Sequence, residues 1–146
     1  MTVVLIILII AVDQLVKYLV RANFTVGETL PVIPDIFHIT YVQNRGAAFS
    51  MFQNMSVVTV LLPIALVILC AAALWYCRRK GERMLSIALA MIIAGGIGNL
   101  IDRIGAGFVT DMFDFQVFPV FNVADISVTV GCVLAVVCVI FAEKGE

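Results

Sequence analysis

The chain has 146 residues, of which 63% are hydrophobic and only 13% are Asp, Glu, Lys or Arg, with a net charge of −1. Soluble domains carry about 25% charged residues, so a water-soluble core is excluded and the bilayer is the expected solvent. The charge balance leaves no basic footprint for nucleic acid.

Thr2 to Arg21 reads as the first span. It is apolar from Val3 to Val12 and then turns polar at Asp13, Gln14 and Lys17. A signal peptide would place basic residues before the apolar run and small residues after it. Neither is present, so a retained helix is expected. Asp13 and Lys17 stand at i and i+4 and share a face. Charges at that depth are expected to pair and to turn into the bundle.

Residues 23–54 form a polar insert broken by Gly27, Pro31 and Pro34. Phe37 to Val42, rich in β-branched and aromatic residues, predicts a strand, and Thr25 to Leu30 is its expected partner. Asn44-Arg45-Gly46-Ala47-Ala48-Phe49-Ser50 follows as a turn of small residues, leading to an apolar patch of Phe49, Met51 and Phe52. A small sheet on the membrane surface is expected. The lone histidine, His38, reads as a structural or solvated strand residue.

Residues 55–77 predict the second span, with Pro63 inside it and Trp75 and Tyr76 at its interfacial end. Arg78, Arg79, Lys80 and Arg83 then place four of the nine basic residues in one short turn. By the positive-inside rule that turn is cytoplasmic, as are both termini, and the insert is extracytoplasmic. Lys17, Arg21, Arg45 and Arg103 fall toward the other side and oppose this orientation. Asp13 is the expected partner of Lys17, and Asp102 that of Arg103.

Residues 84–101 predict the third span. Ala94 and Gly98 suit close helix approach. Asn99, Asp102 and Arg103 share one face and are expected to form a polar network. Gly105 to Phe121 reads as a loop with five of the ten phenylalanines and two acids, Asp111 and Asp114. Residues 123–141 predict the fourth span. The cysteines Cys70, Cys77, Cys132 and Cys138 read as buried packing residues without a disulfide. The chain reads as one domain, residues 1–146: an all-α membrane protein of four helices with a small sheet in the insert.

Asn122 is a good N-cap, and Asp125 would complete a variant capping box at N3. Capping does not account for Asp111, whose neighbours are apolar. Two carboxylates held close cannot both ionise easily, so they share a proton. The ionised one can draw a proton from water while the protonated one polarises a carbonyl. The helix N-terminus favours charge on Asp125. No Gly-x-Ser-x-Gly, His-Glu-x-x-His or phosphate loop occurs. Two other readings stay open: a small transporter or channel component using the intramembrane charges as a relay, and a metal-dependent hydrolase using Asp111, Asp114 and Asp125 as ligands.

Five stretches together resemble the lipoprotein signal peptidases (signal peptidase II), a bacterial family of membrane aspartic peptidases. They are Asp13 to Lys17, Asn44 to Ser50, Gly95 to Arg103, Gly107 to Asp111 and Phe121 to Asp125. The resemblance spans nearly the whole chain, in order. It implies catalytic roles for Asp111 and Asp125 and selects Asp111 over Asp114. It implies supporting or substrate-side roles for Asn44, Asn99, Asp102, Arg103, Asn122, Asp13 and Lys17. The implied substrates are prolipoproteins, cut before a diacylglyceryl-modified cysteine in the inner membrane, at the extracytoplasmic face. No metal or organic cofactor is implied, and globomycin is the implied inhibitor class. Thr110 and Met112 depart from the family's usual residues, and the loop between the aspartates looks short.

Overall fold

The computed structural model describes residues 1–46 and 56–142. Four helices are long and apolar enough to cross a membrane. They are α1 (Thr2–Asn23), α2 (Ser56–Lys80), α3 (Arg83–Gly105) and α4 (Val123–Ala142). Three short strands accompany them: β1 (Thr29–Ile33), β2 (Phe37–Asn44) and β3 (Val109–Asp114).

The helix α3 is the axis of the bundle and touches α1, α2 and α4. Half of its apolar window is buried inside the protein, against 6% for α2. Small residues make this possible. Ala88, Ala90 and Ala94 have no exposed surface. A Cβ on Gly95 would run into the Ala124 carbonyl oxygen, and one on Gly98 would lie 2.7 Å from Asp13 Oδ2. These two glycines let the first turn of α4 and the polar face of α1 reach the backbone of α3. Elsewhere the helices show apolar side chains outward, such as Ile7, Leu61, Ile68 and Val133, as lipid-facing helices do. The helix α2 runs unbroken through Pro63.

The strands form one antiparallel sheet in the order β1-β2-β3. Its inner face meets α1 through Val20, Tyr41 and Met112. Pro31 pairs with His38 from the edge strand β1, where a missing N–H is tolerated. The register slips by one residue between Ile39 and Val42, a bulge that brings Val42 opposite Asp111. The far edge of β3 binds Phe121: its N–H donates to Phe113 O at 3.1 Å, and its carbonyl accepts from Phe113 N–H at 2.8 Å.

Met1 and Thr2 line a cavity with Arg78, Gly81, Glu82, Arg83 and Ser86. The N-terminus and the basic turn therefore share one end of the bundle. The sheet, the C-terminal ends of α1 and α3 and the first turn of α4 share the other. At the basic end Arg79 lies over the Trp75 ring at 3.9 Å and Lys80 over Tyr76 at 5.0 Å, a geometry suited to interfacial rings.

Several expectations change. The partner of β2 is Thr29–Ile33 rather than Thr25 to Leu30, because residues 25–28 are held as a turn by the bond from Glu28 N–H to Thr25 O at 2.9 Å. The stretch expected as an aromatic loop contains β3, since Val109 to Asp114 supplies a third edge that β2 would otherwise leave open. The helix α3 runs to Gly105, four residues beyond the expected end. Only Cys77 is buried, while Cys132 is exposed on the outer surface. The patch of Phe49, Met51 and Phe52, with Ala47, Ala48 and Ser50, lies outside the described residues.

Candidate active site

The site grows out of the start of α4. Asn122 and Asp125 form the capping box foreshadowed by their spacing. Asp125 N–H donates to Asn122 Oδ1 at 2.9 Å, and Asn122 N–H donates to Asp125 Oδ2 at 3.3 Å. The pairing of Phe121 with β3 then sets Asn122 beside Asp111. Asn122 Nδ2 donates to Asp111 Oδ1 at 2.7 Å and to Asn99 Oδ1 at 3.1 Å. Asn99, on α3, uses its own amide N–H to reach Asp125 Oδ1 at 2.8 Å. Asn44, at the end of β2, donates to Asp111 Oδ2 at 3.0 Å. Each of the four carboxylate oxygens thus receives an N–H.

Three side-chain amides supply three of these and the Asn122 backbone the fourth, and each side-chain amide is oriented by a donor on its oxygen. Gly46 N–H holds Asn44 Oδ1 at 2.9 Å. Asp125 N–H holds Asn122 Oδ1. Lys17 Nζ holds Asn99 Oδ1 at 3.0 Å. With their oxygens so engaged, the amides turn their NH2 groups to the aspartates.

Asp111 is 2% exposed. Burial raises its pKa most; Asn44 opposes that rise, and the nearby Asp125 charge adds to it, leaving the group at about 6. Such a value keeps a carboxylic acid partly protonated near neutral pH.

Beneath the pair lies a buried charge cluster. Lys17 has no exposed surface and sits 2.9 Å from Asp13 and 3.4 Å from Asp102. Asp102 also meets Arg21 at 3.3 Å and accepts Thr110 N–H at 2.8 Å. Asp13 Oδ1 accepts Ala124 N–H at 2.9 Å, so a carboxylate from α1 caps the first turn of α4. Two acids and two cations balance one another here, each with hydrogen bonds to spare. They run from Asp13 in the middle of α1 to the sheet end of the bundle, so they form no string across the whole span that a relay would need.

Asn44, Asn99, Asn122, Asp13, Lys17 and Asp102 are therefore all joined to Asp111 or Asp125 by direct or relayed hydrogen bonds. Arg103 is not. Its expected partner Asp102 turns to Lys17 and Arg21 instead, because consecutive residues on a helix point about 100° apart. Arg103 lines a cavity with Asn44, Arg45, Thr59, Val60, Gly107 and Phe108. Arg21, Gln14 and Thr110 were not among the residues expected at the site. Arg21 could have been found, since Asp13, Lys17 and Arg21 repeat every four residues. Gln14 bridges Asp13 and the Gly98 carbonyl, each at 3.1 Å, and Thr110 Oγ1 accepts from Arg21 at 3.3 Å; neither has a spacing signal.

Asp114 takes a different path. Its carboxylate accepts Gln116 N–H at 2.9 Å and Thr40 O–H at 2.7 Å, and these bonds hold it below the usual carboxylate range. It faces the outer part of the sheet. Among the described residues no three His, Cys, Asp or Glu side chains converge as metal ligands. Asp114→Asn is expected to keep at least half of the wild-type peptidase activity, measured as turnover of a lipopeptide substrate, because neither bond touches the Asp111–Asp125 pair.

The model of the family described as signal peptidase (SPase) II matches residues 5–141. The lipoprotein signal peptidase of Halothermothrix orenii is 40% identical over 144 residues, covering 99% of this chain and 98% of that one. That of Clostridioides difficile is 41% identical over 143 residues, with 96% and 95% covered. A solved structure described as a bacterial membrane enzyme superposes with a TM-score of 0.86 at 28% identity, covering 99% of this chain and 90% of that chain. A second, of the same description, gives 0.84 at 29% identity, with 94% and 91% covered. The chain therefore belongs to the signal peptidase II family, and it is a peptidase built on four membrane-spanning helices.

Proposed function

We propose that this protein is a lipoprotein signal peptidase that cuts diacylglyceryl-modified prolipoproteins just before the lipidated cysteine, with Asp111 and Asp125 as its catalytic pair. The observation that carries this reading is the link from Asp111 through Asn122 and Asn99 to Asp125. It joins the two carboxylates at the rim of a membrane bundle, where a lipid can stay in the bilayer while its peptide reaches water. The relatives named above are called lipoprotein signal peptidases, which supplies the substrate class.

In the resting pair the shared proton is on Asp111, the buried member, and Asp125 is ionised at the positive end of α4. Asp125 takes a proton from water as the oxygen attacks the scissile carbonyl. Asp111 gives its proton to the carbonyl oxygen, so a neutral tetrahedral diol forms. Collapse returns one hydroxyl proton to Asp111. Asp125 passes its proton to the cysteine nitrogen as the C–N bond breaks. Both groups end as they began, and no covalent intermediate forms. A globomycin-type cyclic peptide would compete for the same pair. The basic turn at the opposite end supports a site at the extracytoplasmic face of the inner membrane, with both termini cytoplasmic.

The test is purified protein in detergent with a synthetic diacylated prolipoprotein peptide, products read by mass spectrometry. One cut before the lipidated cysteine is expected, unaffected by chelator. No cut, or a cut elsewhere, would overturn the reading.

The pH profile follows from Asp111. Activity needs it protonated, so the rate should fall as pH rises through about 6. The Asn44 hydrogen bond pulls that value down. Asn44→Ala should therefore move the alkaline limb to higher pH while lowering kcat. An unmoved limb would separate Asn44 from the proton chemistry.

A further inference from the structure

Phe118, Phe121, Asp125, Ile126, Thr129 and Val130 line a furrow of about 250 Å³ on the outer side of α4. We infer that this furrow seats one acyl chain of the lipidated substrate, leading it from the scissile bond down α4 into the bilayer. The inference rests on the proposed function and adds a lipid subsite to it.

The shape points one way. The furrow begins beside Asp125, whose carbon atoms but not its carboxylate oxygens face it, and follows α4 through Ile126, Thr129 and Val130. Ile126, Thr129 and Val130 stand at i, i+3 and i+4 and form one stripe, with Asp125 one turn above Thr129. From Asp125 the stripe descends about 7.5 Å along the helix axis, toward the middle of the span. Phe118 and Phe121 roof its upper end, edge to face at 6.1 Å. An acyl chain bonded to the cysteine beside the scissile bond must make this same descent.

The chemistry excludes the other half of the substrate. Apart from Asp125 at the head, the only polar lining side chain is Thr129. An extended peptide would leave its N–H and C=O groups unsatisfied along such a wall, whereas an acyl chain has none. A helical peptide satisfies its own backbone but is about 10 Å across, and the furrow offers it only Ile126, Thr129 and Val130 of α4 to pack on. The chain gains little solvation by leaving lipid for the furrow, since both are apolar. Its gain is alignment: the furrow fixes the cysteine relative to Asp125.

Ile126, Thr129 and Val130 all point outward from the bundle, and the face of α4 that packs on α3 is the separate stripe of Ala124 and Val128. A bulky residue at 129 therefore fills the furrow without disturbing the fold. Thr129→Trp should raise KM for a dipalmitoyl lipopeptide about tenfold and leave a dibutyryl lipopeptide within about twofold. In parallel, a lipopeptide with a diazirine midway along one acyl chain is photolysed with wild-type protein in nanodiscs. Label is expected on the segment containing residues 126–130, and excess unlabelled lipopeptide should compete it away. Equal loss on both substrates, no loss on either, label confined to other helices, or label that only bulk phospholipid displaces would each overturn the subsite. If neither lipopeptide is cut by wild type, the peptidase reading fails separately, and the photolabel still decides the furrow.

Discussion

Asp125→Asn is expected to lower kcat/KM for lipopeptide cleavage by about 10²–10⁴-fold, the usual worth of a positioned acid or base, while the protein stays folded. The amide has the shape of the carboxylate. Its oxygen can still accept from Asn99, and the contact it spoils is the long one to Asn122 N–H at 3.3 Å. Asp111→Asn should be equally inactive but less stable. Both Asp111 oxygens receive amide N–H groups, from Asn44 and Asn122, so an amide there must turn its own NH2 toward a donor. A buried clash of that kind leaves groups unpaired at about 1–3 kcal/mol. The pair of variants therefore separates chemistry from folding: both lose turnover, and only Asp111→Asn lowers the melting temperature clearly in detergent. Cleavage by Asp125→Asn at the wild-type rate would sink the catalytic assignment.

How far the residues alone foretold this arrangement depended on the range of the interaction. The four spans were legible because twenty apolar residues have one solution in a bilayer. The Asn122–Asp125 box was legible because capping is local. Asp13 with Lys17 was legible for the same reason, being one turn apart. Arg103 was misread by locality: it is adjacent to Asp102 in sequence, but the helix turns it away and the partners come from α1. The strand β3 was missed because Phe113 and its neighbours read equally well as an interfacial loop. Only the open edge of β2 and the return of Phe121 make it a strand, and both are tertiary facts. Asp111 over Asp114 shows the limit best. Their spacing is silent, and the structure separates them by neighbours distant in sequence: Asn44 and Asn122 for one, Thr40 for the other.

Lys17→Met tests whether the buried cluster is scaffold alone or also sets the chemistry. Removing the ammonium leaves Asp13 and Asp102 with one cation, Arg21, which reaches only Asp102. Breaking a buried ion network this way costs about 3–5 kcal/mol, so a large fall in melting temperature is expected. Adding Asp13→Asn should recover part of that loss, because the amide oxygen can still accept Ala124 N–H and one unpaired charge is gone. The double variant should thus be more stable than the single, the coupling that neighbours in one network show. Its activity should not recover. Without Lys17, Asn99 Oδ1 keeps only the Asn122 donor at 3.1 Å, and the amide is freer to turn its oxygen toward Asp125. The Lys17 charge also helps to hold the Asp111 pKa down. Its loss should move the alkaline limb of the pH–rate profile upward in both variants, whatever their stability. A double variant that regains stability, wild-type turnover and an unmoved limb would show that Lys17 holds the helices together and nothing more.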